Sequence, residues 1–211
     1  MPTLQFELVH RETGCRVIAG VDEAGRGPLA GPVVAGAVVL PEGFAHAWLD
    51  DSKKLSHLQR EELYAELTVC PGLRWAMGLA TVEEVDRYNI LRATHMAMRR
   101  AVTALGDPGP DMVLIDGLPV REFGWPQQAV VKGDTLSLSI AAASIIAKVE
   151  RDRMMMALDA VFPHFCFSSH KGYGTAAHLA ALQTHGPTPH HRRSFQPVAQ
   201  LTLDFGGEAF S

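Results

Sequence analysis

Apolar positions along this chain follow two rhythms, and glycine and proline punctuate them into alternating strand and helix segments. From Val17 to Leu40 the sequence reads VIAGVDEAGRGPLAGPVVAGAVVL. An apolar run reaches two adjacent carboxylates, Asp22 and Glu23, then a glycine-rich turn carrying Arg26, and a second apolar run starts at Pro32. Valine-rich runs bounded by glycine and proline predict buried strands. Leu73–Ala80, Met112–Ile115 and Ala129–Val131 predict three more. Helical spacing fills the intervals. Ser56 and Gln59 form a capping-box pattern that opens a helix over Leu58–Val69, closed by Pro71 and Gly72. Thr81 and Glu84 repeat the pattern and open a helical stretch to Leu105. There Ile90, Ala93, Ala97 and Ala101 share a face, and Asn89 marks where the pattern can break. Ser137–Phe162 is the longest helical pattern, and its start, IAAASIIA, is apolar nearly all round, which predicts central burial. Thr175 caps a short helix ending near Gly186. Pro41–Asp51 and Gly106–Asp111 read as loops. Met1–Arg16 is a polar lead-in without clear period.

This alternation predicts an α/β fold. At 211 residues the chain can bury one good core, so a single domain over 1–211 is expected, with 1–16 and 198–211 peripheral. Hydrophobic residues make up 47% and charged residues 20%, which suits a globular protein. No apolar run approaches the ~20 residues that span a bilayer, and the N-terminus lacks the basic-then-apolar plan of a secretory signal. Cys15, Cys70 and Cys166 are scattered and odd in number, forming neither a disulfide framework nor a zinc pattern. A reducing cytoplasm and no membrane contact are the expectation.

The net charge of −4 argues against a nucleic-acid partner only until its distribution is considered. Lys132–Arg193 holds seven Lys/Arg against four Asp/Glu and six of the ten histidines. A locally positive surface can bind phosphates whatever the total.

Three strand segments each lead to a carboxylate: Asp22-Glu23, Asp116 before Gly117, and Asp134 after Lys132-Gly133. Sites in α/β sheets gather outside the carboxyl ends of strands, so a clustered acidic site is expected, although solvated turn acids would give the same pattern. Oxygen donors without a nearby cysteine select Mg²⁺ or Mn²⁺ over zinc, and four carboxylates roughly neutralise two such ions. Two divalent ions ~3.5–4 Å apart can activate water and stabilise the leaving oxygen of a phosphodiester. Asp22 and Glu23 are neighbours, and successive strand side chains face opposite ways. Either the strand ends between them or Glu23 contributes its backbone carbonyl.

Other features carry weaker signals. Gly25-Arg26-Gly27 is not a dinucleotide-binding turn, because Gly31 comes one position late and a strand follows. Lys53 and Lys54 read as a solvated lysine pair. Ser144, Lys148 and Arg151 share a helix face, as a surface stripe or as an anion-contacting set. Gly172 and Gly174 flank Tyr173, suggesting a loop that presents a ring. His190 and His191 are adjacent and point apart on any regular element, which argues against zinc there.

Taken together, the motifs GVDEAGRGPLAGPVV, DSKKLS, LIDG, VVKGD, AAASIIAKVERD, HKGYGT and HHRRSF resemble those of the ribonuclease HII family, in the family's order and across Val17–Phe195. The lead-in and the tail after Pro197 carry no motif. Ribonuclease HIII has an additional N-terminal domain, for which the lead-in leaves no room. The resemblance implies a ribonuclease H-like fold, a central mixed sheet with helices on both faces. It implies a monomeric endonuclease that hydrolyses the RNA strand of RNA–DNA hybrids. Such enzymes also nick duplex DNA 5′ of a single embedded ribonucleotide, leaving 3′-hydroxyl and 5′-phosphate ends. By motif match, Asp22, Glu23, Asp116 and Asp134 would hold the metals, Gly25, Arg26 and Gly27 would contact the ribose 2′-hydroxyl, and Tyr173 would stack on the following sugar. Lys53, Ser144 and Lys148 become phosphate contacts, which position a duplex without reading sequence. Another nuclease or strand transferase of the same fold would share the acids but not the ribose-sensing turn. A non-catalytic hybrid-binding module would not need all four acids.

Overall fold

The computed structural model describes residues 1–50, 52 and 54–205, with side chains through Leu201. Five strands form one mixed sheet in the order β3-β2-β1-β4-β5. They are β1 (Ile18–Ala24), β2 (Val33–Val39), β3 (Arg74–Ala80), β4 (Met112–Asp116) and β5 (Gln127–Val130). β2 runs antiparallel to both β1 and β3, whereas β1, β4 and β5 run parallel.

Strand parity sorts the two faces. Ala19, Val21, Ala35 and Ala37 pack with Ala93, Ala97 and Ala101 of helix α3 (Val82–Ala104). The alternate positions meet helix α4 (Leu138–Val161) on the other face. A Cβ on Gly20 would sit 2.2 Å from the Ser139 carbonyl carbon, and one on Gly36 would sit 2.4 Å from the Ala143 carbonyl oxygen. α4 therefore lies directly on the strands, as its alanine-rich start predicted, and Ile140–Ala147 is at most 3% exposed. Burial of each isoleucine there stabilises the fold by about 1.5–3 kcal/mol. Helix α2 (His57–Val69) covers the same face, with Leu63 and Leu67 against Ile145 and Ile146.

Both capping boxes form, at Ser56/Gln59 and at Thr81/Glu84. The break in α3 falls on Asn89, at φ 68°, whose side-chain oxygen accepts from the Leu91 and Arg92 amides and restarts the helix. The lead-in departs from its reading. Gln5–Glu12 form helix α1, and Glu7 is buried beneath the start of α4. One Glu7 oxygen accepts from the Ser137 and Ser139 hydroxyls at 2.6 Å and from the Ser139 amide at 3.0 Å. A carboxylate there satisfies donors that a helix start leaves unpaired. The tail after Pro197 continues as α7 (Val198–Phe205). With α5 (Phe167–His170) and α6 (Ala176–His185) it closes a smaller core of Leu29, Met155, Phe165, Phe167, Leu182 and Val198. Among the described residues no helix is long and apolar enough to cross a membrane.

Candidate active site

β1 does not end between its two acids. It continues through both to Ala24, pairing Asp22 with Gly36 and Glu23 with Ala35, so the first of the two options for that pair is overturned. The acids consequently face opposite sides of the sheet. Asp22 shares the α4 side with Gly20, and parallel pairing of Val21 with Ile115 carries Asp116 alongside it. Asp134 arrives differently. β5 stops at Val130, short of the predicted run, and Asp134 lies on a 3-10 turn, Gly133–Thr135. Asp116 Oδ1 accepts the Gly133 amide at 2.6 Å, which draws that turn to the end of β4. Asp22, Asp116 and Asp134 thus place one carboxylate oxygen each within 4.8 Å of one another. Asp22 and Asp134 are each 4% exposed. Glu23 lies outside this group of three and pairs with Arg26 at 3.1 Å.

The glycine-rich turn beside the acids is held from beneath by two arginines. Arg192 donates to the carbonyls of Gly25, Arg26, Pro28 and Gly31 at 2.5–3.0 Å. Arg151 donates to those of Ala30, Pro32 and Lys171 at 3.0 Å. Both are fully buried. Burial pushes the Arg192 guanidinium down to about 9 and that of Arg151 down to about 10, still cationic at neutral pH. Backbone carbonyls, rather than carboxylates, compensate the charges. The same clamp dictates Gly25, at φ +95°, since a Cβ there would lie 2.0 Å from Arg151 Nε.

Arg151 lines one cavity with Ser144 and Lys148, as the shared helix face suggested, but its guanidinium is committed to three carbonyls beneath the turn. The positive balance of 132–193 is likewise partly internal, because two of its cations are spent on this clamp. Ser144 and Lys148 do line a cavity of about 240 Å³ with Asp22, Glu23, Asp116, Gly25–Gly27 and Tyr173. Ser144 donates to Ser52 at 2.7 Å, and Lys148 to Asp152 at 2.7 Å. Desolvation lowers the Lys148 ammonium despite that partner. Tyr173 is 47% exposed at the rim. Lys53 lies outside the described residues.

The sequence reading missed the clamping role of Arg192 and Arg151, the place of Ser52 in the cavity, and also a second cleft of about 490 Å³ lined by Arg92, Arg99, Arg121, His95 and Asn89. Its side chains come from α3 and the loop after β4, and only the density of arginines in 87–100 hinted at it. Burial and the charges of Arg99, Arg26 and Arg121 lower the His95 imidazolium. Arg26 is thus electrostatically common to cleft and cavity. Cys15, Cys70 and Cys166 are free thiols, and His191 Nε2 lies 2.9 Å from His178 Nε2.

Three clustered carboxylates with hard oxygen donors fit a divalent cation and not a soft one. The comparisons agree with that chemistry. A family model described as Ribonuclease HII matches residues 19–198. The ribonuclease HII of Sphingopyxis alaskensis is 57% identical over 187 residues, covering 89% of this chain and 92% of that protein. That of Geobacter metallireducens is 51% identical over 195 residues, covering 92% and 91%. Among solved structures, the ribonuclease H2 of Pyrococcus horikoshii superposes with a TM-score of 0.73 at 26% identity, over 92% of this chain and all of that one. A ribonuclease HIII crystallised in complex with Mn²⁺ superposes with a TM-score of 0.65 at 17% identity, over 95% and 73%, a likeness of fold.

Proposed function

Because the chain belongs to the ribonuclease HII family, metal-dependent endoribonucleases acting on the RNA strand of RNA–DNA hybrids, we propose that it also nicks duplex DNA 5′ of single embedded ribonucleotides. The products are a 3′-hydroxyl and a 5′-phosphate. The observation that carries this reading is the juxtaposition of three carboxylates with a glycine turn and an exposed tyrosine in one cavity.

Asp22, Asp116 and Asp134 would hold divalent ions, with Glu23 adding its backbone carbonyl at the edge of β1. Two Mg²⁺ or Mn²⁺ ions supply activation of water and stabilisation of the leaving oxygen. The chain's own residues do the rest. Gly25–Gly27 lets backbone groups approach the ribose 2′-hydroxyl, the group that separates RNA from DNA. A Cβ on Gly27 would meet only the Tyr173 ring, at 3.6 Å, so this glycine is open toward substrate. Tyr173 stacks on the following sugar, sensing shape without reading a base. Ser144, Lys148 and Lys53 contact phosphates near the cut. The arginine-lined cleft continues the positive path beyond Arg26 and takes further backbone phosphates.

The decisive experiment supplies DNA with one embedded ribonucleotide, with and without Mg²⁺ or Mn²⁺, and maps the ends. A metal-dependent nick on the 5′ side is expected. Hydrolysis confined to continuous hybrids would overturn the embedded-ribonucleotide reading.

A further inference from the structure

The loop that presents Tyr173 rests on three buried histidines that the proposed reaction does not use. His170, His178 and His191 are 9%, 0% and 1% exposed. Backbone amides can only donate, and that fixes which ring nitrogen carries each proton. The Thr188 amide donates to His191 Nδ1 at 2.9 Å, so that nitrogen is bare and the proton is on Nε2. His191 Nε2 faces His178 Nε2 at 2.9 Å, so His178 accepts there. The His178 proton is then on Nδ1, 2.8 Å from the Tyr173 carbonyl oxygen. The Gly172 amide donates to His170 Nδ1 at 3.2 Å, leaving His170 Nε2–H for the Phe165 carbonyl at 2.7 Å. His170 and His178 stack, with ring centroids 4.5 Å apart and planes 13° from parallel. The outcome is a one-way chain of hydrogen bonds from the Thr188 amide, through two imidazoles, to the backbone of Tyr173.

We propose that His178 and His191 are positioning residues for Tyr173, their hydrogen-bonded pair holding its backbone so that the ring meets the substrate sugar at a fixed angle. This rests on the reading of Tyr173 as the ring that contacts the sugar. The Tyr173 carbonyl also accepts the Thr175 amide at 2.8 Å. Two donors from opposite ends of the following turn therefore define one carbonyl direction. The relay survives only while both rings are neutral, since a proton added at His178 Nε2 would face the His191 Nε2–H, and one added at His191 Nδ1 would face the Thr188 amide. The surroundings favour neutrality. Phe165 and Phe167 pack against both rings. His170 from α5 and His190 from the adjoining loop face the pair with like charge when protonated, and Arg192 follows directly in sequence. Burial is the main cause that lowers His178 and pushes His191 down to about 3.

Two measurements test this. Nitrogen-15 histidine spectra of the full-length enzyme at neutral pH should show Nδ1–H on His178 and Nε2–H on His191. The reverse order, or an imidazolium at either site, overturns the relay. The second is kinetic, on DNA with one embedded ribonucleotide. His178→Phe fills the space but donates nothing, and about a tenfold loss of cleavage is expected. His178→Asn offers an amide N–H near the Nδ1 position and should recover most of that loss; an Asn variant as slow as His178→Phe counts against the proposal. In a Tyr173→Ala background, His178→Phe should add little further loss, because coupled residues are not additive. Equal losses in both backgrounds overturn the positioning role and leave the tyrosine reading intact. A Tyr173→Ala enzyme as fast as wild type overturns the tyrosine reading itself. Should His178→Phe not fold, the Asn variant and the tautomer assignment still decide.

Discussion

Arg192 donates through Nη2 to the carbonyl of Gly25 at 2.5 Å, across 167 positions of sequence. With its bonds to Arg26, Pro28 and Gly31 it turns a flexible glycine segment into a fixed surface beside the acids. Removing it would strand several buried carbonyls. Arg192→Met is expected to lower stability by about 3 kcal/mol or more, read as a shift in the urea midpoint. Arg192→Lys should recover little, because one ammonium cannot reproduce the planar fork. A Lys variant with the wild-type midpoint would contradict the clamp.

Asp116→Asn keeps an oxygen for the Gly133 amide and so preserves the turn that carries Asp134. It removes one negative ligand. Metal-dependent turnover should fall about a thousandfold or more, the loss of several kcal/mol of transition-state stabilisation. Affinity for hybrid, measured without turnover, should stay within a few fold. Near wild-type turnover would remove Asp116 from the mechanism.

Two glycines of one turn should fail in different ways. Gly25→Ala drives a methyl into Arg151 at a φ that side chains rarely adopt, and should destabilise the fold by several kcal/mol. Gly27→Ala meets only the Tyr173 ring and should leave the melting temperature within about a degree or two. Its cleavage should nonetheless fall, because the methyl occupies the approach to the ribose. Melting curves paired with cleavage rates separate the two, and a destabilised Gly27→Ala would refute the assignment of that face to substrate.

Arg92 and Arg121 line the second cleft and are exposed. If the cleft takes phosphates, the double alanine variant should flatten the dependence of log affinity on log salt by up to about 2. Turnover at saturating hybrid should be nearly unchanged. A slope equal to wild type would take the cleft out of the substrate path.

His191 should make the fold acid-sensitive. Its folded value, about 3, lies below the ordinary 6.5. Between those values the unfolded chain binds a proton that the folded chain refuses, so stability is complete above about pH 6.5 and is lost as pH falls toward 3. His191→Phe cannot titrate, and its urea midpoint should decline less over that window than the wild type's. Parallel declines would show that His191 is protonated in the fold.

The sequence by itself determined the elements and the polarity of the site. Its capping boxes, the break at Asn89 and the apolar start of α4 are local physics, written in residues a few positions apart. The convergence of Asp22 and Asp116 was legible because parallel strands of like pattern bring like positions together. Helix α1 was not legible, since its stability comes from Glu7 docking on Ser137 and Ser139, 130 positions away or more. Nor could one-dimensional pattern show that β1 continues through Glu23 and turns it from the other acids. Arg151 and Arg192 look like surface cations in sequence, and only the fold surrounds them with carbonyls. The tertiary structure decided these because each rests on contacts between segments distant in the chain, whose partners no periodicity records.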